Sequence, residues 1–185
     1  MIDDLLQSLR KTGIHTPNNY IFEISFPSAV LSQIRQQRGF DIDSDLFVRV
    51  NRVTLPGDAV KLETRLSQSR ETQSIVTDRE NPTNLSFSII LSEDLRERQY
   101  FEIWSEYMYG KDDLSYQPKF LDMYAAPNAT LYIGNKGSEE FKLKYQFTNI
   151  FPISVSEIEM SYEERESFTT ATITMMYESW NRVRL

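Results

Sequence analysis

The sequence predicts a mainly β protein of the α+β type, an antiparallel β-sandwich or barrel carrying one packed α-helix. Three observations carry this expectation. Apolar and polar residues alternate in many short runs, as in Leu85, Phe87, Ile89 and Leu91 against Ser86 and Ser88. Side chains of a strand point alternately to its two faces, so such runs read as half-buried strands. Only the segment around Tyr100 to Met108 keeps a strong helical period, and turn signals recur at short intervals. At 185 residues the chain reads as one domain, 1–185, long enough to bury a substantial core.

The first segment, Asp3 to Thr12, places Leu5, Leu6 and Leu9 at helical spacing, and Gly13 would stop a short amphipathic helix. The alternative is an arm, residues 1–15, that orders only against a neighbour. In NNYIFEISFP, Tyr20, Phe22, Ile24 and Phe26 alternate with polar residues, a strand closed by Pro27. Val30, Leu31 and Ile34 then suit a short helix ending near Gly39, and DIDSD reads as loop. LFVRVNRVTLPGD is β-rich until Pro56 and Gly57. Residues 58–84 hold two weaker strands, AVKLETRL and TQSIVT, read as an exposed hairpin.

NLSFSIIL is the clearest strand. After it, Ser92 is the expected N-cap, with Glu93 and Asp94 at the positive end of the helix dipole. Tyr100, Ile103, Trp104, Tyr107 and Met108 form one apolar stripe, and Gly110 ends the helix. KDDLSYQPKFLDMYAAPN reads mostly as loop, and ATLYIG and FKLKYQF flank a hairpin connection. Two final runs follow, from Ile150 and from Thr170. In the first, the apolar positions change parity between Val155 and Ile158, which predicts a bulge near Ser156–Glu157. In the second, Ala171, Ile173, Met175 and Tyr177 face one way, and Thr170, Thr172 and Thr174 the other. Seven or eight strands result.

Composition narrows the chemistry. There is no cysteine, which excludes disulfides, thiol catalysis and thiolate metal sites. Formal charge is -7, with 20 Lys plus Arg against 27 Asp plus Glu, which argues against a general nucleic-acid-binding surface. No apolar run approaches the ~20 residues of a membrane span, and the acidic start does not read as a secretory signal. His15 is the one histidine, in a polar segment with no second ligand, and reads as a surface residue. The acid pairs Asp112–Asp113, Glu139–Glu140 and Glu163–Glu164 fall in expected turns or loops, where solvation keeps them ordinary. Asp41, Asp43 and Asp45 share the alternate-oxygen spacing of a calcium loop but lack its glycine and distal glutamate. No reaction, cofactor or metal is expected.

The order of the pieces resembles the tail tube proteins of contractile-tailed bacteriophages. The opening MIDDLLQSLRKTGIHTPNNYIFEISF is similar to that family's acidic-headed helix and aromatic strand. VNRVTLPGDAV resembles its strand-to-proline turn, TDRENPTNLSFSIILSED its loop, strand and helix cap, and RQYFEIWSEYM its aromatic helix. YQFTNIFPISVSEIEMSYEERESFTTATITMMYESW resembles its closing strand pair. The resemblance fails mainly at 28–45, which looks like an insertion, and at 111–130. Type VI secretion tubes and extracellular contractile injection systems share the fold.

The resemblance implies a virion structural protein, made in the bacterial host's cytoplasm, whose hexameric rings join their sheets into a barrel and stack into the inner tail tube. Partners would be the tail sheath, baseplate and tail-terminator proteins, with DNA passing through the lumen unbound. Thr170, Thr172, Thr174, Ser86 and Ser88 are the candidate lumen-facing residues. Leu5, Leu9, Arg70 and Glu71 are candidates for ring stacking, and Tyr100, Trp104 and Met108 for the core of the helix. A threonine face is equally the solvent side of a sandwich, since threonine favours strands. Other readings are a baseplate initiator or tube terminator of the same fold, the tube protein of a contractile injection system, and a carboxylate-dependent hydrolase, which needs a pocket with a desolvated acid.

Overall fold

A computed structural model describes residues 19–39, 42, 44–57, 59–66, 72–80, 83–110, 118–134, 141–158 and 168–184. Nine strands run through them: β1 Tyr20–Ile24, β2 Val50–Val53, β3 Ala59–Leu66, β4 Thr72–Glu80, β5 Asn84–Ile90, β6 Ala126–Gly134, β7 Phe141–Val155, β8 Thr170–Met176 and β9 Ser179–Arg184. The helices are α1 Ser28–Arg38, α2 Arg96–Tyr109 and the single turn α3 Leu121–Tyr124, and Ser44–Arg49 is a 3-10 helix. The fold is mainly antiparallel β with few helices, and a second long helix, α1, packs against α2. In α1, Val30 and Ile34 are fully buried, so the segment read as an insertion contributes to the core.

The sheet order is β1-β6-β7-β8-β5-β2, with β9 also paired to β7. β7 organises it. One side of β7 pairs with β6, from Gly134↔Phe141 to Ala126↔Ile150. The other side pairs with β9 over residues 143–148, then with β8 over 151–155. FKLKYQF and the run from Ile150, expected as two strands, are therefore one long strand bent at Asn149. Asn149 has φ 50°, a left-handed conformation that asparagine tolerates better than most residues. Its side-chain amide donates to the Glu178 carboxylate, fixing the corner. Opposite this bend, the expected single closing strand breaks into β8 and β9. There the Tyr177 amide turns to Thr83 O at 2.9 Å and the Glu178 amide to Thr148 O at 3.1 Å.

Other boundaries also move. The bulge in β7 lies between Pro152 and Ser154, not near Ser156–Glu157, and it ejects Ile153 to 48% exposure. LFVR is helical rather than extended; an alternating pattern would bury Val48 with Leu46, yet Val48 is 83% exposed and Leu46 is 1%. Part of the segment read as loop forms α3 and the first residues of β6. Helix α2 starts at Arg96, with Leu95 in a left-handed conformation at φ 53°, so Ser92 is not its N-cap. Ser92 instead donates its amide and its hydroxyl to Glu97 Oε2, each at 2.9 Å. A carboxylate inside the first turn thereby reaches back to the entering chain, as in a capping box.

Between the two halves of the sheet lies an aromatic core. Phe22 of β1 meets Phe87 of β5 at 4.9 Å between ring centroids, and Phe87 meets Phe101 of α2 at 5.7 Å. Trp104 is fully buried against Phe26 and donates its indole N–H to Tyr124 O at 2.7 Å. Tyr100 and Met108 are buried on the same helix. β3 and β4 form a separate two-stranded sheet with Ala59 opposite Glu80 and Leu66 opposite Thr72, the hairpin expected at 58–84.

Candidate functional site: the hydroxyl face

β8 and β5 pair residue by residue, from Asn84↔Met176 to Ile90↔Thr170. Residues directly opposite in an antiparallel pair share a face, so the two alternations reinforce each other. Leu85, Phe87 and Ile89 point inward with Ala171, Ile173 and Met175, none more than 1% exposed. The opposite face brings Ser86 beside Thr174, hydroxyls 3.2 Å apart, and Ser88 beside Thr172, hydroxyls 2.9 Å apart. Thr170 is exposed at the end of the same row. The five hydroxyl residues singled out in the sequence thus form one continuous patch.

Neighbouring strands extend it. Ser154 of β7 lies opposite Thr174, and the Ser156 hydroxyl accepts the Thr172 amide at 2.9 Å. On the other side the Thr54 hydroxyl bonds both the amide and the carbonyl of Ser86, at 3.0 and 2.9 Å. Arg52, opposite Ser88, brings a cation to the rim of the face. Sequence reasoning missed Arg52, Ser154 and Ser156, because the β2 bulge at Asn51 and the β7 bulge at Ile153 reset the parity that would place them.

Leu5, Leu9, Arg70 and Glu71 lie outside the described residues, as do His15, Asp41, Asp43 and the three acid pairs. Among the described residues no group of three His, Cys, Asp or Glu could hold a metal ion, and no helix is long and apolar enough to cross a membrane. Glu97, 3% exposed, is held by Ser92 and by Arg49 at 3.1 Å. Clefts open at the surface of the described residues. One, of about 340 Å³, lies at the seam where Tyr20 of β1 donates to Val50 O of β2. Another, of about 230 Å³, lies beside β7 at Phe151–Ile153. Among the described residues, neither lining includes an Asp or Glu.

Comparison with solved structures finds the same fold in proteins of very different sequence. The chain is similar to one in a sheath–tube complex of an extracellular contractile injection system in its extended state, with TM-score 0.56 and 10% identity, covering 97% of each chain. A chain of the anti-feeding prophage baseplate gives TM-score 0.59 at 7% identity, covering 93% of this chain and 97% of that one. The tube-terminating cap of the anti-feeding prophage gives 0.58 at 9%, with 93% and 92% covered. Comparison with curated proteins finds no match. The phage tail tube protein family matches residues 15–183, nearly the whole sequence. The chain belongs to the phage tail tube protein family and is a structural, tube-type component of the virion tail.

Proposed function

We propose that copies of this chain form hexameric rings that stack into the inner tail tube, with the hydroxyl face lining the conduit through which DNA is ejected. The observation that carries this reading is the character of that face. Its outward positions on β5 and β8 hold Ser86, Ser88, Thr170, Thr172 and Thr174, with Ile90 at one end and Asn84 and Met176 at the other, and among the described residues the rim adds Ser154 and the cation Arg52. A conduit must not hold its cargo. Each phosphate neutralised by a lysine or arginine adds affinity through counterion release, and contacts repeated around every ring would stall passage. Paired hydroxyls hydrate the channel wall without supplying such charge.

The reading is non-enzymatic, as the tail tube family is structural, and the described buried carboxylate, Glu97, is held by structural partners. Sheath, baseplate and terminator proteins are the partners of such a tube, assembled in the host cytoplasm. Stacking falls to the β3–β4 hairpin. Val60 and Leu62 are 54% and 58% exposed on a two-stranded sheet that pairs with no other described strand. An isolated hairpin is marginal in water, so a second copy that covers this face would stabilise it.

Negative-stain microscopy of the purified protein tests the proposal. Rings and hollow tubes are expected, and a protein that stays monomeric at high concentration would overturn it. A second reading, a ring that caps or initiates the tube, is favoured by the similarity to a tube-terminating cap and a baseplate chain at comparable TM-scores. Rings that never polymerise alone, yet join the end of a tube made of another protein, would select it.

A further inference from the structure

We propose that Arg52 is the phosphate contact of the conduit wall, a guanidinium in each subunit that brakes the passing DNA and makes ejection sensitive to salt. This rests on the conduit reading above and names the residue through which that face touches its cargo. An irregularity in β2 puts the residue there. Val50 lies opposite Ile89 and is buried with it. Strict alternation along the strand would turn Arg52 inward as well. The ladder instead shifts between Val50 and Arg52, with Asn51 as the extra residue, so Arg52 lies opposite Ser88 and Val53 opposite Phe87. Bulges re-aim side chains in this way. Here the bulge returns Val53 to the core side and delivers a cation to the hydroxyl face.

No described group on either flank neutralises that charge. Arg52 is exposed, and the outward positions of β5 and β8 carry no Asp or Glu. The hydroxyls beside it are engaged with other partners. Ser88 meets Thr172 at 2.9 Å, and Thr54 holds both the amide and the carbonyl of Ser86. On its other flank Arg52 borders the cleft of about 340 Å³, where the described neighbours Asn19, Tyr20 and Asn51 carry no charge. Arg49, just before β2, differs: its guanidinium is paired with Glu97 at 3.1 Å. Among the described residues, no ion pair takes up the charge of Arg52.

An unpaired guanidinium suits one part of DNA. Its planar fork of N–H donors matches the oxygens of a phosphodiester, and it stays charged at any physiological pH. Ring symmetry sets one copy per subunit at one height, so a duplex in the channel meets a collar of cations rather than a continuous basic wall. Phosphate contacts carry no sequence information, and they let protein and DNA slide past each other. As the duplex advances, each phosphate that leaves a guanidinium is followed by the next. The collar therefore adds drag without a fixed grip. Raising salt from about 50 to about 200 mM weakens each simultaneous phosphate contact about 3-fold.

The test builds full-length Arg52→Ala, Arg52→Gln and Arg52→Lys into particles and measures DNA ejection at these two salt concentrations. The quantity read is the ratio of variant rate to parent rate, which cancels the effect of salt on the packaged DNA. For alanine and glutamine the ratio is expected to exceed one at the lower salt and to fall about 3-fold or more at the higher. Lysine, which keeps the charge, is expected to stay near the parent rate at both. Parent rates for all three variants overturn the assignment. Equal acceleration in all three, lysine included, makes side-chain shape responsible and overturns it too. Variants that melt like the parent yet lose rings place Arg52 between copies, which also overturns it. Thr170→Lys/Thr172→Lys in the same assay separates this proposal from the reading beneath it. Slowed ejection there, beside an inert Arg52→Ala, leaves the conduit standing. Parent rates in both remove the hydroxyl face from the conduit together with Arg52.

Discussion

The Glu97 carboxylate lies 3.1 Å from the Arg49 guanidinium while also accepting the Ser92 amide and hydroxyl at 2.9 Å. One buried side chain thus ties the start of α2 to the 3-10 helix before β2 and to the chain leaving β5. These are the elements that flank the hydroxyl face at one end. Arg49 is 42% exposed and can turn to water if its partner is lost, so the ion pair itself contributes little. The amide and hydroxyl of the half-buried Ser92 would lose their acceptor. Glu97→Ala is expected to cost about 1 kcal/mol or more, as a half-buried donor loses a charged acceptor. Glu97→Gln keeps one acceptor oxygen and should cost less. Urea denaturation of the monomer checks both, and an unchanged midpoint in the alanine variant would show that the donor is not buried enough to matter.

Trp104 is expected to determine whether the subunit folds at all. It is fully buried, packs on Phe26 and donates to Tyr124 O at 2.7 Å. Truncating a buried Trp costs ~3–5 kcal/mol, a large share of a domain's stability. Trp104→Ala should therefore lose its thermal transition, or lower it sharply, before any assembly step. A melting temperature equal to that of the parent protein would remove the helix from the core.

Two tyrosines make stability depend on pH at the alkaline end. Burial pushes the phenols of Tyr20 and Tyr177 above the ordinary tyrosine value. A raised value in the folded state means the neutral form is favoured by folding. The contribution is complete below the unfolded value of about 10 and is lost as pH rises through the folded value. Stability should hold across neutral pH and fall steeply above about pH 10. Tyr20→Phe removes one titrating group, with the hydrogen bond to Val50 O, and should flatten part of that fall. An unfolding midpoint that follows the same alkaline curve in the variant would show that Tyr20 is not among the groups responsible.

Where one residue type served one face, the sequence was legible. The rows Leu85–Phe87–Ile89 and Ala171–Ile173–Met175 each keep period two without interruption, and the hydroxyls opposite them could be assigned without coordinates. The stripe from Tyr100 to Met108 was equally plain. What periodicity does not carry is the identity of a strand's neighbour. β7 reads as two strands because Asn149 breaks the pattern, and nothing local says that the backbone continues through a left-handed residue. Arg52 and Ser154 follow bulges, where one extra residue exchanges the two faces. Val48 misleads because a 3-10 helix and a strand can begin with the same apolar triplet, and only the tertiary position of Leu46 decides between them.

The β3–β4 hairpin should matter for stacking and not for folding. Val60 and Leu62 are more than half exposed, so charges there meet water in the monomer. Val60→Asp/Leu62→Asp is expected to keep the parent melting temperature and still form rings, while tubes shorten or disappear in electron micrographs. Tubes of normal length from this variant would exclude the apolar face of the hairpin from contact between rings.

The hydroxyl face admits the sharpest test, because its three possible locations respond differently to charge. Thr170 and Thr172 are exposed, whereas Thr174 is half-buried and bonded to Ser86, so the first two are the sites to change. Thr170→Lys/Thr172→Lys should fold normally: Ser88 loses its partner hydroxyl but can turn to water. If the face lines the conduit, two lysines per subunit repeat around each ring and along the tube, giving DNA a periodic set of phosphate contacts. Assembled particles should then eject DNA slowly, and raising the salt should restore the rate, since affinity built on phosphate neutralisation falls linearly in log–log terms with salt. If the face is covered by another subunit instead, unpaired charges would be forced into a low-dielectric contact, and rings or tubes would fail to form. If it is the outside of the tube, ejection would proceed at the parent rate and any defect would appear in sheath assembly. Tube-forming protein with slow, salt-rescued ejection is the expected outcome, and either of the other two patterns would move the lumen to a different face of the fold.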